Sequence, residues 1–375
     1  MKNKINVLFL TVQLETIGGS ERLIYDLASS LDRNLFNPSV AWLSGDKILQ
    51  EFIDLEIPLF HIPKNKRRDI STFNKINKII VTNNIHVVNA HHFMPMFYSY
   101  YGCKVANQTK LLYTEHSQWE IGRISGKWKL ISKYLLNKLD GVIGVSCAVT
   151  NEIQTKFCLS SEKLSCIPNG VNISSFMEPK NQYLTKSSMC FSDSDKIIGI
   201  VANLKTNKNH IYLLEAFREV LNEIDSVKLL IIGGGDENDP DNSEYDLRRY
   251  VQENGLNNHV FFLGYRSDIP EILSILDIFC LTSIKEGLPI SLIEAMATGI
   301  PVIGTDVEGI RNVIIPNENG FLVHLGDVNG LKDALLTLLK DDILRHKFGK
   351  NSQTLAIKKY SLRHCVDQYQ NLFKL

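Results

Sequence analysis

Short runs of β-branched and other apolar residues alternate with amphipathic stretches along most of the chain. In the first part the runs predict strands at Ile5–Thr11, Ser39–Leu43, His86–His91, Leu111–His116 and Gly141–Ser146. Apolar residues at helical spacing lie between them and predict helices from Ser20 onward and over Ser71–Val81, Pro95–Ala106, Lys127–Leu139 and Ala148–Phe157. This alternation is typical of a parallel sheet covered by helices on both faces.

The alternation stops between Asn172 and Asp195, where polar residues dominate, and this stretch predicts a linker. Beyond it the pattern predicts strands at Lys196–Ala202, Val227–Gly233, His259–Gly264, Asp277–Thr282, Pro301–Gly304 and Gly320–Val323. It also predicts helices at His210–Ile224, Tyr245–Asn254, Ile269–Leu276, Ile290–Thr298, Val328–Lys340 and Leu362–Leu375.

We therefore predict an α/β protein of two tandem Rossmann-like domains, each a doubly wound parallel sheet. The first domain covers residues 1–175 and the second covers residues 190–359. Ligands of open parallel sheets bind at the carboxyl ends of the strands, so we expect both sheets to open onto one inter-domain cleft. Such a cleft can close around a substrate and exclude water.

Composition and charge exclude several classes of protein. The chain has 375 residues, 44% of them hydrophobic, and its 41 basic and 41 acidic side chains give a formal net charge of zero. It is therefore neither a bulk nucleic-acid-binding protein nor a disordered tail. Seven cysteines without a CxxC pair argue against a disulfide framework or a zinc ribbon and favour a reducing cytoplasm. No stretch reaches the ~18 apolar residues of a membrane span, and the apolar run Val7–Val12 is too short for a signal peptide.

The segment EGLPISLIEAMATG, from Glu286 to Gly299, follows a predicted strand and carries two carboxylates. Pro289 suits the first turn of a helix and Gly299 its end, so we expect Glu286 in the loop and Glu294 inside the helix. A helix N-terminus suits an anion such as a diphosphate. Glu294 could accept hydrogen bonds from a ribose diol, and Glu286 from a sugar hydroxyl. Either glutamate alone fits an ordinary capping or exposed acid, but the whole segment favours ligand binding.

Two other strand-end loops carry residues suited to phosphate. Lys205 and Lys208 follow the first strand of the second domain, where they could neutralise a diphosphate, although a lysine pair also fits a solvated turn. Gly18 and Gly19 follow the first strand of the chain and allow close backbone approach, and Ser20 fits a helix N-cap. Neither glycine-rich loop of the chain completes GxGxxG, which disfavours a dehydrogenase.

Histidines stand at two strand ends of the first domain. His116 would face the cleft and could donate to a sugar hydroxyl, although a lone histidine is more often structural. His91 and His92 have the same two interpretations. No Asp/Glu/His spacing joins these residues into a ligand set, and no Asp-x-Asp triplet lies near either cleft edge, so the sequence predicts no bound metal.

The segment Arg123–Lys138 contains five cations and no acid, with Trp128 and other apolar residues between them. A basic amphipathic helix carrying Trp can lie on an anionic membrane surface. The alternative is a solvated helix whose apolar side is simply core. A second basic cluster consists of Lys64, Lys66, Arg67 and Arg68.

Together these motifs resemble the retaining glycosyltransferases of family 4, which have the two-domain fold called GT-B. The resemblance covers nearly the whole chain and is most specific at Glu286 and Glu294, with seven residues between them. Softer matches are Gly18–Glu21, His116, Ile167–Val171, Asn203–Lys208, Gly233–Asp236 and Asn319–Val323.

The resemblance implies a nucleotide-sugar donor held mainly by the second domain. Glu294 would hold the ribose, Glu286 would touch the donor sugar, and Lys208 would hold the diphosphate. His116 would face the sugar from the first domain, so Glu286, His116 and Lys208 are the implied catalytic residues. The implied donor-binding residues are Gly18, Gly19, Asn203, Lys205, Lys208, Gly264, Tyr265, Glu286, Gly287, Leu288, Ile290 and Glu294. The final helix, residues 360–375, would return to the first domain.

The chain departs from the family pattern at two positions. The family often has Arg where Asn203 stands and Glu where Asn312 stands. We hypothesise that Lys205 supplies the phosphate charge that the missing Arg would carry, and we expect an altered donor contact at Asn312.

The implied reaction moves a hexose-type sugar from a nucleoside diphosphate to a glycan or polyprenyl-linked acceptor and retains the configuration at the anomeric carbon. The nucleotide is expected to be UDP, as is usual in the family. No metal or other cofactor and no nucleic acid is expected. The implied setting is bacterial capsule, O-antigen or exopolysaccharide synthesis in the cytoplasm, with peripheral attachment to the inner membrane face through Arg123–Lys138 as a hypothesis. Alternatives are an enzyme like the UDP-sugar 2-epimerases, which needs no acceptor, and a non-catalytic nucleotide-sugar binding protein.

Overall fold

The computed structural model describes residues 4–15, 18–63, 69–105, 109–178, 184–236 and 239–374, except the side chains of residues 104, 105 and 118–120. Contacts divide the chain into two compact units. The first unit is Met1–Gly170 together with Leu362–Leu375, and the second is Val171–Ser361.

The first unit contains one parallel sheet. Its strands are β1 (Ile5–Thr11), β2 (Phe36–Trp42), β3 (Leu59–His61), β4 (Val87–His91), β5 (Lys110–Glu115), β6 (Gly141–Gly144) and β7 (Leu164–Cys166). Its helices before the unit boundary are α1 (Gly19–Ser30), α2 (Gln50–Ile53), α3 (Ser71–Thr82), α4 (Phe93–Val105), α5 (Gln118–Arg123), α6 (Gly126–Lys138) and α7 (Cys147–Phe157).

The strand order of this sheet is β3-β2-β1-β4-β5-β6-β7. Val7, Leu8, Phe9 and Leu10 are consecutive on β1 and all fully buried. Because successive side chains of a strand point to opposite faces, the sheet is covered on both sides. The order reverses between β1 and β4, and open sheets of this type bind ligands beyond the carboxyl ends at such a reversal.

The second unit repeats this architecture with six parallel strands. They are β8 (Lys196–Val201), β9 (Val227–Ile232), β10 (Val260–Gly264), β11 (Ile278–Leu281), β12 (Val302–Thr305) and β13 (Gly320–Val323). Its helices are α8 (Ile173–Met177), α9 (His210–Leu221), α10 (Glu244–Glu253), α11 (Ile269–Ser274), α12 (Ile290–Thr298), α13 (Glu308–Arg311), α14 (Val328–Lys340) and α15 (Asp342–Tyr360). The strand order is β10-β9-β8-β11-β12-β13, which reverses between β8 and β11. The predicted fold class, two doubly wound parallel-sheet domains, is confirmed.

The last helix of the chain, α16 (Leu362–Lys374), belongs to the first unit. Its side chains Cys365, Tyr369 and Phe373 are buried in a core that also contains Phe9. Lys110 donates from Nζ to the carbonyl oxygen of Leu372 at 3.0 Å. A helix from the end of the chain therefore completes the core beneath β1.

The predicted linker is only partly irregular. Its first residues form α8, and Ile173 and Phe176 of that helix are buried in the core of the second unit. The contact division falls between Gly170 and Val171, whereas the sequence placed the end of the first domain at residue 175. The five residues of α8 are too few to give a detectable hydrophobic period.

Helix α15 is the longest element that the sequence pattern did not predict. Its buried positions Phe348, Ser352, Ala356 and Tyr360 follow one another at four-residue spacing. Two of the four are small or polar, so the stripe that packs inward does not look hydrophobic in the sequence. Strands β3 and β7 were also missed, because three residues are too short for a period-two pattern.

Candidate active site

The candidate site of the second unit is built from the loops that follow β8 and β11. These two strands are neighbours at the reversal of strand order. The first loop carries Asn203, Lys205 and Lys208, and the second carries Ser283 and Glu286. The loops are joined directly, because the backbone N–H of Ile284 donates to the carbonyl oxygen of Asn207 at 2.8 Å.

Lys208 and Glu286 form an ion pair across these loops. The Nζ atom of Lys208 lies 2.6 Å from Oε1 of Glu286, and the side chains are only 21% and 11% exposed. The hydroxyl of Ser283 donates to the same Oε1 atom at 2.6 Å. Ser283 is itself fully buried, and its carbonyl oxygen accepts a hydrogen bond from the Thr305 hydroxyl at 2.5 Å. The structure thus brings together two of the predicted catalytic residues.

Sequence reasoning missed Ser283 and Gly309, which position Glu286. A Cβ atom on Gly309 would lie 2.4 Å from the backbone oxygen of Glu286, so α13 can approach this loop only with glycine at that position. Ser283 stands three residues before Glu286 at the end of a buried strand. That spacing was the available signal, since a strand-end hydroxyl can reach a carboxylate a few residues along the loop.

Helix α12 begins directly after this loop. Pro289 directly precedes the helix, which has the predicted bounds, and Gly299 ends it in the left-handed conformation, at φ 88°. Glu294 lies in the second turn and is half-buried. Gly287, Leu288 and Ile290 are also half-buried at the start of the helix. The N-terminus of this helix, with its free backbone N–H groups, therefore follows Glu286 closely in the sequence.

Lys205 is held by a second acid. Its Nζ atom lies 2.5 Å from Oδ2 of Asp239. The hydrogen bond with Asp239 raises the pKa of Lys205, and the same bond lowers the pKa of Asp239. The carbonyl oxygen of Asn203 accepts from the backbone N–H of Lys205 at 2.9 Å. The side chain of Asn203 is exposed. This loop therefore supplies one ammonium group and one neutral amide.

Glycines shape the loop that follows β9. Gly233 has φ 134°, and a Cβ atom there would lie 2.0 Å from the carbonyl oxygen of Ala202. Gly233 also donates to the carbonyl oxygen of Gly264 at 2.9 Å. The hydroxyl of Tyr265 donates to the carbonyl oxygen of Gly234 at 3.1 Å, while 73% of the tyrosine remains exposed. Gly264 and Tyr265 thus stand at the same sheet edge as Lys208.

In the first unit, Gly18 and Gly19 lie at the start of α1. Gly18 is the N-cap, and its N–H donates to Oε2 of Glu21 at 3.1 Å. Ser20 is not the N-cap that the sequence suggested: it lies inside the helix and donates from its hydroxyl to Glu21 at 2.9 Å. Among the residues that the structure describes, a Cβ atom on Gly19 would meet nothing within 4 Å.

His116 follows β5 and is linked to His91 at the end of β4. Nδ1 of His91 lies 2.9 Å from Nε2 of His116, and Nε2 of His91 lies 3.0 Å from Oδ1 of Asn89. Burial, and secondly the neighbouring histidines, hold the pKa of His91 and His116 well below the usual value. Both rings are therefore neutral near pH 7. Asn89 was missed because a buried asparagine inside a strand gives no sequence signal.

Glu115 is a second buried polar residue at this strand end that the sequence did not single out. Its Oε1 atom accepts the backbone N–H groups of His116 and Ser117 at 2.8 and 3.0 Å. Its other oxygen accepts from the Tyr113 hydroxyl. The carboxylate therefore fixes the backbone that carries His116. Within the described ranges, no group of three or more His, Cys, Asp or Glu side chains is arranged to hold a metal ion.

Most of the predicted basic segment forms α6. Trp128 packs edge-on against Phe93 and Phe97, at ring-centroid distances of 6.2 and 6.0 Å. Leu130 and Tyr134 point outward and are 72% and 56% exposed. Lys64, Lys66, Arg67 and Arg68 lie outside the described residues. Of the helices that are described, none has the length and apolarity needed to cross a membrane.

Two family models match the chain, one in each half. The model described as Glycosyltransferase Family 4 matches residues 17–175. The model described as Glycosyl transferases group 1 matches residues 186–355. The two matched ranges contain all the residues that the sequence predicted to bind or act on the donor.

Similar proteins include two curated bacterial relatives and one crystal structure. N-acetyl-alpha-D-glucosaminyl L-malate synthase of Bacillus anthracis is 25% identical over 309 residues, covering 81% of this chain and 78% of that protein. UDP-Gal:alpha-D-GlcNAc-diphosphoundecaprenol alpha-1,3-galactosyltransferase of Escherichia coli is 30% identical over 216 residues, covering 56% and 54%. Anabaena HepE, solved in complex with UDP, has a TM-score of 0.87 at 20% identity, covering 99% and 100%, and shares the fold.

We predict that breaking the Lys208–Glu286 pair loosens the link between the two loops of the second unit. Lys208→Met should speed hydrogen exchange of the Ile284 amide about fivefold, which corresponds to about 1 kcal/mol of local stability. The exchange is measured by NMR or by mass spectrometry of overlapping peptides. Arg311→Met, which breaks the more exposed pair with Asp306, is the control and should leave that amide unchanged. An unchanged rate in Lys208→Met would show that the pair does not hold the loops together.

Proposed function

The chain belongs to the group 1, family 4 glycosyltransferases, and on this premise we propose that it transfers a hexose-type sugar from a UDP-sugar to a glycan or polyprenyl-linked acceptor. The transfer proceeds with retention at the anomeric carbon and without a bound metal, in the synthesis of a bacterial surface polysaccharide. The observation that carries the proposal is the ion pair between Lys208 and Glu286. Glu286 lies in the loop that leads into α12, the helix that bears Glu294.

The names of similar proteins support UDP as the nucleotide. The relative from Escherichia coli is named for a UDP-Gal donor and a diphosphoundecaprenol-linked acceptor, and Anabaena HepE was crystallised with UDP. Capsule, O-antigen and exopolysaccharide are the kinds of product that such a donor and acceptor would serve.

The charges of the second unit fit a diphosphate. Lys208, Lys205 and the N-terminus of α12 provide two ammonium groups and a set of backbone donors. When the bond between the anomeric carbon and the phosphate oxygen breaks, the electron pair leaves with the diphosphate, and these groups stabilise the added negative charge. Lys205 supplies the phosphate charge of the arginine that the family often has where Asn203 stands in this chain.

The carboxylates act on the sugar end and the ribose end of the donor. Glu286 stabilises the positive charge that develops at the anomeric carbon, and Glu294 accepts hydrogen bonds from the ribose. The acceptor hydroxyl then attacks from the face that the diphosphate has left and passes its proton to the departing diphosphate oxygen, which retains the configuration. His116 of the first unit is assigned to the sugar. Preorganised charges of this kind supply much of the rate enhancement in enzymes.

We predict that donor binding raises the melting temperature in a nucleotide-specific way. A ligand that binds only the folded state stabilises it by an amount set by its concentration relative to the dissociation constant. UDP-sugars should shift the transition, whereas GDP- and ADP-sugars should not, and Lys205→Ala should reduce the shift. A shift with GDP- or ADP-sugars alone would contradict the UDP assignment, and an unchanged shift in Lys205→Ala would contradict its role at the phosphate.

Turnover separates the proposed activity from its alternatives. An epimerase would release UDP and altered sugar without an acceptor, and a non-catalytic protein would bind the donor and turn nothing over. Transfer products should therefore require an acceptor, and NMR of the new linkage should show the anomeric configuration of the donor. An inverted linkage would refute the retaining mechanism.

We predict that Glu286→Gln and Lys208→Ala each lower kcat about 100-fold or more, because each removes charge that matters most in the transition state. Glu294→Gln should act mainly on the KM of the donor. The control is Lys285→Ala, an exposed neighbour in the same loop. Normal turnover in Glu286→Gln would remove the catalytic assignment, and normal folding is checked by circular dichroism.

We further propose that α6 contacts the cytoplasmic face of an anionic membrane. Its exposed Leu130 and Tyr134 stand among Lys127, Lys129 and Lys133, which is the composition of an interfacial helix. Beside it lies a mainly apolar cavity of about 550 Å³, with Trp128 and Arg123 among its lining residues. Such a surface would bring the enzyme to a lipid-linked acceptor.

We predict that the protein floats with liposomes containing anionic lipid and not with neutral ones. Each lysine near an anionic surface contributes about 1 kcal/mol, so Lys127→Glu with Lys133→Glu should reduce binding at least tenfold. The matched control replaces the exposed Lys358 and Lys359 of α15 by Glu and should leave flotation unchanged. Equal flotation with both lipid mixtures would remove the support for membrane contact.

A further inference from the structure

A chain of hydrogen bonds runs from Asn89 to His116 at the carboxyl end of β4 and β5. Oδ1 of Asn89 lies 3.0 Å from Nε2 of His91, and Nδ1 of His91 lies 2.9 Å from Nε2 of His116. The other end of the asparagine amide, Nδ2, donates to the Thr114 hydroxyl at 3.0 Å. Asn89, His91 and Thr114 are fully buried, so this chain is shielded from water.

The amide of Asn89 sets the direction of every bond in the chain. Its Oδ1 atom can only accept, so Nε2 of His91 carries the proton. A neutral imidazole has one N–H, so Nδ1 of His91 is a lone pair and accepts from Nε2–H of His116. Nδ1 of His116 is then a lone pair as well. The chain therefore ends in a hydrogen-bond acceptor.

This terminal acceptor has no partner within the unit as described. Nδ1 of His116 is buried, and no donor among the described residues lies within hydrogen-bonding distance. Leaving a buried acceptor unpaired costs about 1–3 kcal/mol. An unpaired buried group calls for an explanation, and a ligand hydroxyl that donates to Nδ1 would supply the missing partner.

We propose that Asn89 and His91 are positioning residues that hold His116 in its Nε2–H tautomer, so that Nδ1 accepts a hydrogen bond from a sugar hydroxyl. The assignment of a sugar rests on the proposed function. It reverses the role expected from the sequence, in which His116 donates. The backbone of His116 is held as well, since the Glu115 carboxylate accepts its N–H at 2.8 Å.

The titratable groups around this chain keep it neutral. The ring of His92 lies 5.0 Å from that of His116, and the Tyr369 hydroxyl of α16 lies 3.4 Å from Thr114 Oγ1. Burial raises the pKa of Tyr369 far above its usual value, so it is uncharged. The carboxylate oxygens of Glu115 accept hydrogen bonds from the Tyr113 hydroxyl and from the backbone N–H groups of His116 and Ser117. Protonation of the histidine pair would place a proton on Nδ1 of His116 and abolish the acceptor.

The tautomer can be measured directly in the wild-type protein. NMR of the protein with ¹⁵N-labelled histidine distinguishes protonated from unprotonated ring nitrogens, and His116→Gln and His91→Gln identify the signals. We expect an unprotonated Nδ1 and a protonated Nε2 at His116. A protonated Nδ1 would overturn the proposal. This measurement needs no substrate, so it can fail or succeed independently of the proposed glycosyl transfer.

Asn89→Asp tests the direction of the chain through its pH profile. A carboxylate still accepts from His91 but raises the pKa of the histidine pair by favouring its charged form. Below that raised pKa Nδ1 of His116 carries a proton, so kcat/KM should fall about tenfold relative to wild type at low pH and recover as the pH rises. A ratio to wild type that instead rises with acid, or does not change with pH, would refute the acceptor role. Asn37→Asp, at an exposed position of β2, is the control for the added charge.

Discussion

The reversal of strand order between β8 and β11 is the constraint on which the candidate site of the second unit depends. Strands β8 and β11 are neighbours, but the connections that leave them run toward opposite edges of the sheet. Ligands of open sheets bind beyond the carboxyl ends of the strands at such a reversal, so the side chains and backbone N–H groups of these loops can meet a ligand there. Lys208 and Glu286 come from these two loops and form an ion pair of 2.6 Å.

The lysines of the candidate site are paired with carboxylates before a ligand binds. Lys208 is held by Glu286, and Lys205 is held by Asp239. A half-buried lysine without a partner would lower the stability of the loop, so the carboxylates hold the ammonium groups in place. On the proposed function, a nucleoside diphosphate would replace them because it brings more negative charge than one carboxylate. Glu286 would then be released from the lysine and become available to the sugar, which would link donor binding to the assembly of the proposed catalytic groups.

The sequence predicted the fold well because parallel strands buried on both faces are continuous apolar runs. Strand β1 and helices α12 and α14 were predicted with their observed bounds. The misses have physical reasons: α15 packs through Ser352 and Ala356, which carry no hydrophobic signal. The charged residues of the site were accessible to motif reasoning, but Ser283, Gly309 and Asn89 were not. These residues act through hydrogen bonds and close backbone approach, which depend on which strands become neighbours in space.

The two units use the same topology with different electrostatics. The loops of the second unit carry formal charges, which suit the charged end of a nucleotide sugar. The ends of strands β4 and β5 in the first unit carry neutral histidines, because burial keeps His91 and His116 uncharged. A buried neutral acceptor discriminates between arrangements of hydroxyl groups, since a substrate without the matching hydroxyl leaves the acceptor unsatisfied. On the proposed function, affinity for the donor would come mainly from the second unit, and selectivity for the arrangement of hydroxyl groups would come from the tautomer that Asn89 imposes on the first.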